Sequence, residues 1–551
     1  MKLSAVGLFF GLLAMASAQC YNCFYAQGSP DCGACPKIIN GGCGSCIGGC
    51  PAAEGGTSAF QEVDYLLHEA SYVHGEWIQA ASGKTFVITD PGSGVAWATC
   101  PDNAAEDVNN AVQSSYKGFL KYRGLTARKR AQLLLEWHRL IGESKEDLAK
   151  LVTYETGKPL AESRGEIDYS LGFAWWFAGE AERIQGTIGT SSNEERRVLT
   201  IKQPIGVTVA LVPWNFPIAM IMRKASAAFA AGCSMVLKPS PETPLSCLAL
   251  ADLATRAGFP AGTFNVLMTS LENTPHLSEA LCTHPLVAKV TFTGSTRVGK
   301  IVAGLCAQGL KKCTLELGGN CPVIVFGNAD IDQAIDQILA LKWRNAGQAR
   351  ITANRVYIQA GIYERFATAF SDKTSKFKTG HDADATNNFG AVTTLTGLEK
   401  AESQVKNALE NGAKLRTGSG KPLVFSSTGE SSQFMEPVVL TGMTQNMQMA
   451  KEETFGPVCG LFKFETKEQV VKWANDTSLG LASYVFTKNS DRLWRLFENL
   501  EAGIIGLNIG NGSAAESPFG GIKQSGYGKE SGKDVAVAEY LVEKTGTLTV
   551  M

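Results

Sequence analysis

The sequence predicts an α/β fold in which two successive strand–helix series each build a mainly parallel sheet. Two observations carry that expectation. Short β-branched runs alternate with longer helical stretches, the pattern of βαβ units, and the pattern then recurs, which implies two domains with a cleft between them. In chain order, GVTVALV (Gly206–Val212) reads as a buried strand, bounded by prolines. Pro217–Ala231 reads as a helix, Ser234–Lys238 (SMVLK) as a strand and Leu245–Ala257 as a helix. TFNVLM (Thr263–Met268), KVTFTG (Lys289–Gly294) and CTLEL (Cys313–Leu317) complete the first series, with helices between them. The second series reads strand Pro322–Phe326, helix Ile331–Trp343, strand Arg355–Gln359 and helix Tyr363–Phe377.

Composition narrows the function classes. The 551 residues are 44% hydrophobic and 19% charged, which excludes a disordered chain, a collagen and a coiled coil. With 51 basic against 52 acidic residues the net charge is −1, so no long-range field favours nucleic acid or an anionic membrane.

The N-terminus differs from the body. Met1-Lys2, an apolar run from Val6 to Met15 and Ala16-Ser17-Ala18 form a secretory signal pattern with cleavage after Ala18. The run is too short for a membrane span, and no other stretch is long and apolar enough. The expected location is the secretory pathway or outside the cell; without that leader it would be the cytoplasm or mitochondrion. Seven of the 15 cysteines follow at once, between Cys20 and Cys50. In an oxidising compartment disulfides are expected, and the CxxC spacers are shorter than those of a zinc ribbon. The odd thiol is free, pairs with Cys100, or bridges two chains.

The fingerprint GxGxxG is absent after any strand. GSTRVGK (Gly294–Lys300) approaches a P-loop, but Ile301 stands where magnesium binding needs Ser or Thr. What remains is a Gly-Ser turn opening a helix, whose N–H groups and dipole suit an anion.

Six segments then carry a family resemblance: VPWNFP (Val212–Pro217), VLKPSPETP (Val236–Pro244), FTGSTRVG (Phe292–Gly299), LELGGN (Leu315–Asn320), EETFGPV (Glu452–Val458) and PFGGIKQSGYGKE (Pro518–Glu530). In order and spacing the chain resembles the aldehyde dehydrogenase superfamily over about Val73–Val550. LKWRNAGQ (Leu341–Gln348) and FAWWFAGEAERIQG (Phe173–Gly186) are similar to its succinate-semialdehyde branch. The resemblance implies a Rossmann-like NAD(P)-binding domain (59–185 and 204–316), an α/β catalytic domain (317–535) and a β-ribbon oligomerisation element (186–203 and 536–551). These follow the leader (1–18) and a Cys/Gly-rich segment (19–58), and a homodimer or homotetramer is expected.

The resemblance also implies site roles. Asn215 matches the amide that stabilises an oxyanion, although an amide there could equally cap the helix that follows. Glu316 matches the general base that activates a hydrolytic water. Pro213, Trp214, Lys238, Ser295, Glu453 and Phe455 match the NAD or NADP contacts. Where strict NAD enzymes of the family place a glutamate on the ribose, this chain has Pro241, so NADP should be tolerated, with Glu242 adjacent. Arg183, Arg344 and Ser513 match the residues that hold the succinyl carboxylate, so a small acidic aldehyde or a dicarboxylate is the expected ligand. No metal site is assigned.

One departure is decisive for chemistry. The family nucleophile, a cysteine, lies 34 residues beyond the general base, and that count from Glu316 lands on Arg350 in GQARITANR. The flanks Arg344-Asn345 and Ala353-Asn354-Arg355 both align, so no gap restores a cysteine. A guanidinium stays protonated and cannot attack a carbonyl. Two readings follow: an NAD(P)-dependent succinate-semialdehyde dehydrogenase with activity lost or strongly reduced, or a secreted non-catalytic protein that binds nucleotide or anion.

Overall fold

The strand Val207–Leu211 is buried at every residue, as a central parallel strand covered on both faces should be. It lies at the middle of an eight-stranded sheet in the computed structural model, which describes residues 66–381, 386–424 and 431–550. Parallel neighbours run from Phe264–Val266 and Ser234–Lys238 on one side to Val287–Thr293 and Lys312–Glu316 on the other. Short antiparallel strands close both edges: Ser71–Val73 and Glu76–Ile78 at one, Gly526–Tyr527 at the other. The helices expected over Pro217–Ala231 and Ile331–Trp343 have those same bounds. The leader, the segment 19–58 and the seven cysteines between Cys20 and Cys50 lie outside the described residues. Cys100 is a free thiol, wholly buried.

The second sheet has seven strands. Six run parallel in the order Val438–Met443, Val458–Phe464, Ala353–Gln359, Cys321–Val325, Ala482–Phe486 and Ile504–Leu507. Lys414–Thr417 adds an antiparallel edge. The chain passes from one sheet to the other through Leu317–Asn320, between a strand ending at Glu316 and one starting at Cys321. It returns at Gly526–Tyr527 to pair with Leu315–Glu316, so residues 317–535 are not confined to the second sheet.

A third sheet stands apart. Leu541–Thr549 pairs antiparallel with Arg196–Pro204, which also pairs with Thr187–Thr190. Apolar side chains on this ribbon face solvent, among them Ile188 at 77% and Leu548 at 53% exposure. Among the described residues no helix is long and apolar enough to cross a membrane.

In the first sheet the connections run one way from Val207–Leu211 to Ser234–Lys238 and the other way at Val287–Thr293. Ligands of open α/β sheets bind at such a reversal, outside the carboxyl ends of the strands. The segments leaving those ends are Val212–Asn215, Pro239–Glu242 and Gly294–Ser295, which are the motifs singled out above.

Candidate active site

Two spaces that share part of their walls lie at this place. An outer cleft of about 720 Å³ is lined by Pro213, Trp214, Lys238, Ser295, Glu453 and Phe455, with Pro241 and Glu242 on its wall. An inner cavity of about 200 Å³ is lined by Asn215, Arg223, Glu316, Arg344 and Ser513, with Glu162, Glu166 and Tyr169. Arg350 and Thr293 line both spaces.

In the cleft, Ser295 is the N-cap of the helix Thr296–Gln308, its hydroxyl accepting from the Val298 N–H at 3.3 Å. The Lys238 ammonium is buried and donates to the Pro239 carbonyl at 2.9 Å. Burial pushes its pKa down to about 8, and Glu242 opposes that shift. Glu453 Oε1 accepts from the Gly319 N–H at 2.9 Å, tying the cleft wall to the crossover between the sheets. Gly319 has a steric reason: a Cβ there would lie 2.3 Å from the Arg350 carbonyl oxygen. Phe455 sits at φ +49°, with its ring edge-on to Trp214 at 5.6 Å between centroids. A buried lysine, a helix N-terminus and two aromatic faces suit a dinucleotide with its phosphates, so the donor set fits NAD or NADP.

The inner cavity is built on the helix Pro217–Ala231, all of whose residues are buried. Its first N–H groups are not capped by Asn215, contrary to the second reading of that amide. Glu166 Oε1, from the helix Leu160–Ala181, accepts from Ile218 and Ala219 at 2.9 and 3.2 Å. Its other oxygen takes Lys158 Nζ at 2.6 Å, and that ammonium also donates to the Asn215 carbonyl at 2.7 Å. Proline at the first helical position removes one N–H that would need a partner. Asn215 is thereby free to turn inward. One N–H of its amide donates to the Gln348 carbonyl at 2.9 Å, and its Oδ1 is buried without a partner.

Glu316 is buried at the end of its strand and pairs with Arg223, while the Thr293 hydroxyl donates to it at 3.2 Å. Glu530 completes a buried quartet, 3.1 Å from Arg223 and 2.7 Å from Lys224. Burial raises the pKa of Glu316 against the pull of Arg223. For Glu530 burial acts upward too, but Lys224 and Arg223 prevail and hold it at about 2. One carboxylate is therefore fixed in its charged form and the other is shifted towards taking a proton, the asymmetry that separates acid and base roles.

Arg183 is not part of this site. It follows the end of the helix Leu160–Ala181, its side chain is 65% exposed, and it pairs with Glu180 at 3.0 Å. Arg223 reaches the cavity instead, from the wall helix, where it pairs with Glu316 and Glu530. The signal was visible: Arg223-Lys224 is the one charged pair in PIAMIMRKASAAFAA, where two cations need buried partners. Arg344 does line the cavity, its guanidinium 4.9 Å from the Phe216 ring centre. Ser513 does too, with its hydroxyl 2.5 Å from that of Tyr169, a residue sequence reasoning missed.

The segment from Arg344 to Arg350 is held in an unusual backbone. Asn345, Ala346 and Gly347 have φ of 50°, 51° and 76°, a left-handed run that costs on the order of 1 kcal/mol or more for the alanine. It brings Arg344 into the cavity and Gln348 and Arg350 to the junction with the cleft. The Arg350 guanidinium lies 5.4 Å from the Phe455 ring centre, and its Nε is buried without a partner. No described cysteine lines either space. Cys321 is close, its thiol donating to the Arg350 carbonyl at 3.4 Å, but burial pushes its pKa up to about 12. Cys459 is also wholly buried and pushed up to about 12.

The fold, the cleft at the strand reversal and the buried Glu316 define an α/β oxidoreductase architecture. Residues 77–545 match the aldehyde dehydrogenase family model, and the chain belongs to that family. It is 44% identical over 481 residues to succinate-semialdehyde dehydrogenase [NADP(+)] 1 of Schizosaccharomyces pombe, covering 87% of this chain and 95% of the relative. It is also 44% identical over 476 residues to 3-sulfolactaldehyde dehydrogenase of Pseudomonas putida, covering 86% and 96%. A crystal structure of an NADP-dependent enzyme of E. coli superposes with a TM-score of 0.85 at 42% identity, covering 88% of this chain and 99% of that one.

Proposed function

We propose that the chain holds NADP or NAD in the outer cleft and a short acidic aldehyde or its acid in the inner cavity, and that thiol-dependent oxidation of succinate semialdehyde is lost or strongly reduced. The family membership and the names of its relatives support the ligands. The absence of any described cysteine from the cavity wall, with Arg350 at its junction with the cleft, carries the loss.

The nicotinamide, when bound, supplies a hydride acceptor. The chain's own residues supply the rest. Asn215, backed by Lys158 and Gln348, offers an amide donor to an oxygen in the cavity. Glu316 is placed to take a proton from water. What is missing is a group that forms the covalent adduct from which hydride leaves, because Arg350 has no lone pair to give. Removal of one member of a catalytic unit leaves only binding and oxyanion stabilisation.

The experiment follows reduced nicotinamide by absorbance with succinate semialdehyde and either coenzyme. Wild type is expected to be silent and Arg350→Cys to turn over; robust turnover by wild type overturns the proposal. Export and assembly belong to the same reading. The leader pattern supports secretion, and the exposed ribbon supports a homodimer or homotetramer. Asn511 starts an Asn-Gly-Ser sequon at the rim of the cavity, so a glycan found there by mass spectrometry would favour the non-catalytic form.

A further inference from the structure

The charges around the inner cavity do not balance. Its wall carries Arg223, Arg344 and Arg350 with Glu162, Glu166 and Glu316. Immediately behind stand Lys158 on Glu166, and Lys224 with Glu530. Five cations thus face four carboxylates, and without Arg350 the set would be even. Arg223 is already committed to Glu316 and Glu530. Burial raises the Glu162 pKa to about 7 and lowers those of Lys158 and Lys224, so it weakens charges of both signs in the set.

The surplus has a direction. Arg344 and Arg350 line the cavity, and among the described residues neither guanidinium is tied up in an ion pair as Arg223 is. Both line the same space of about 200 Å³, smaller than the usual pocket for a drug-sized molecule. Each guanidinium offers a planar fork that fits one carboxylate.

We propose that the inner cavity is a receptor for a short dicarboxylate, with one carboxylate on Arg344 and the second on Arg350. This rests on the reading of Arg350 as a binding rather than a reacting residue, and it names the ligand class of that site. Arg350 converts the position nearest the cleft from a place where a bond forms into a second anion anchor.

The test is calorimetric titration of the full chain with succinate and with butyrate, which has the same carbon number and one carboxylate fewer. Wild type is expected to bind succinate at least tenfold tighter, with the preference shrinking as salt is raised. Arg350→Ala and Arg350→Gln should bind the two acids alike. Arg183→Ala, at an exposed position outside the cavity, should keep the wild-type preference. Circular dichroism identifies a variant that fails to fold, and Arg350→Gln, the closer match in size, then carries the test. Equal affinities in wild type, or a preference that survives in the folded Arg350 variants, overturn the proposal. Turnover by Arg350→Cys reports separately on the function proposed above, so each can fail without the other.

Discussion

The buried Lys158–Glu166 pair holds one end of the site together, and breaking it should be costly. Both side chains are completely inaccessible. Glu166→Ala leaves the Lys158 ammonium without its carboxylate and leaves the Ile218 and Ala219 N–H groups without their acceptor. Orphaning a buried charge costs about 3–5 kcal/mol and losing a helix cap about 1 kcal/mol, for a total of about 4–6 kcal/mol. Replacing both partners by apolar residues of similar volume, as in Lys158→Met with Glu166→Leu, removes the charge as well as its partner. That double variant should recover at least half of the loss. Urea unfolding followed by tryptophan fluorescence and circular dichroism, run for wild type, both single variants and the double, gives the cycle. A loss below about 1 kcal/mol in Glu166→Ala, or a double variant no more stable than that single one, would refute the reasoning.

Two further outcomes follow from the same geometry. Pro241→Glu puts a carboxylate on the cleft wall beside Lys238, and should weaken NADP by on the order of tenfold while leaving NAD little changed, as read by calorimetry; unchanged NADP affinity would remove Pro241 from coenzyme choice. Glu162 faces Lys158, Arg344 and Glu166, and with a pKa raised to about 7 it is neutral below that pH and an added negative charge above it. Succinate binding should therefore fall on the order of tenfold from pH 6 to pH 8, and Glu162→Gln should flatten that profile; a flat wild-type profile contradicts the assignment.

Local structure was legible because it is written locally. The helix Pro217–Ala231 is announced by a proline at its first position and stopped by Gly232, which adopts φ +94° at the C-cap. The strand Val207–Leu211 is apolar but for Thr208, whose buried hydroxyl donates to the Ser234 carbonyl at 2.7 Å, as double-sided burial requires. Lys238 and Ser295 reach the cleft because one ends a strand and the other caps a helix after a strand, and such positions gather at one end of a parallel sheet. Glu453 and Phe455 come to it from the second sheet, in the segment between the helix Gln448–Lys451 and the strand Val458–Phe464. Arg183 misled because its motif fixes a helix and not the direction of a side chain beyond that helix's end. Arg223, which lines the cavity where Arg183 does not, is recognised only when its partners Glu316 and Glu530 arrive from 93 and 307 residues away.

By itself the sequence determined the α/β architecture, the family, and the fact that position 350 holds an arginine where a thiol is expected. These depend on residue type, periodicity and register, which a linear chain displays. Tertiary structure alone decided which charges cancel. Glu166 is spent on Lys158, Glu530 is fixed as an anion by Lys224 and Arg223, and Asn215 is relieved of capping its own helix. Buried ion pairs form between segments distant along the chain, and the field inside a cavity is the remainder after they cancel. Here Arg344 and Arg350 are the cavity cations that no ion pair has taken up among the described residues.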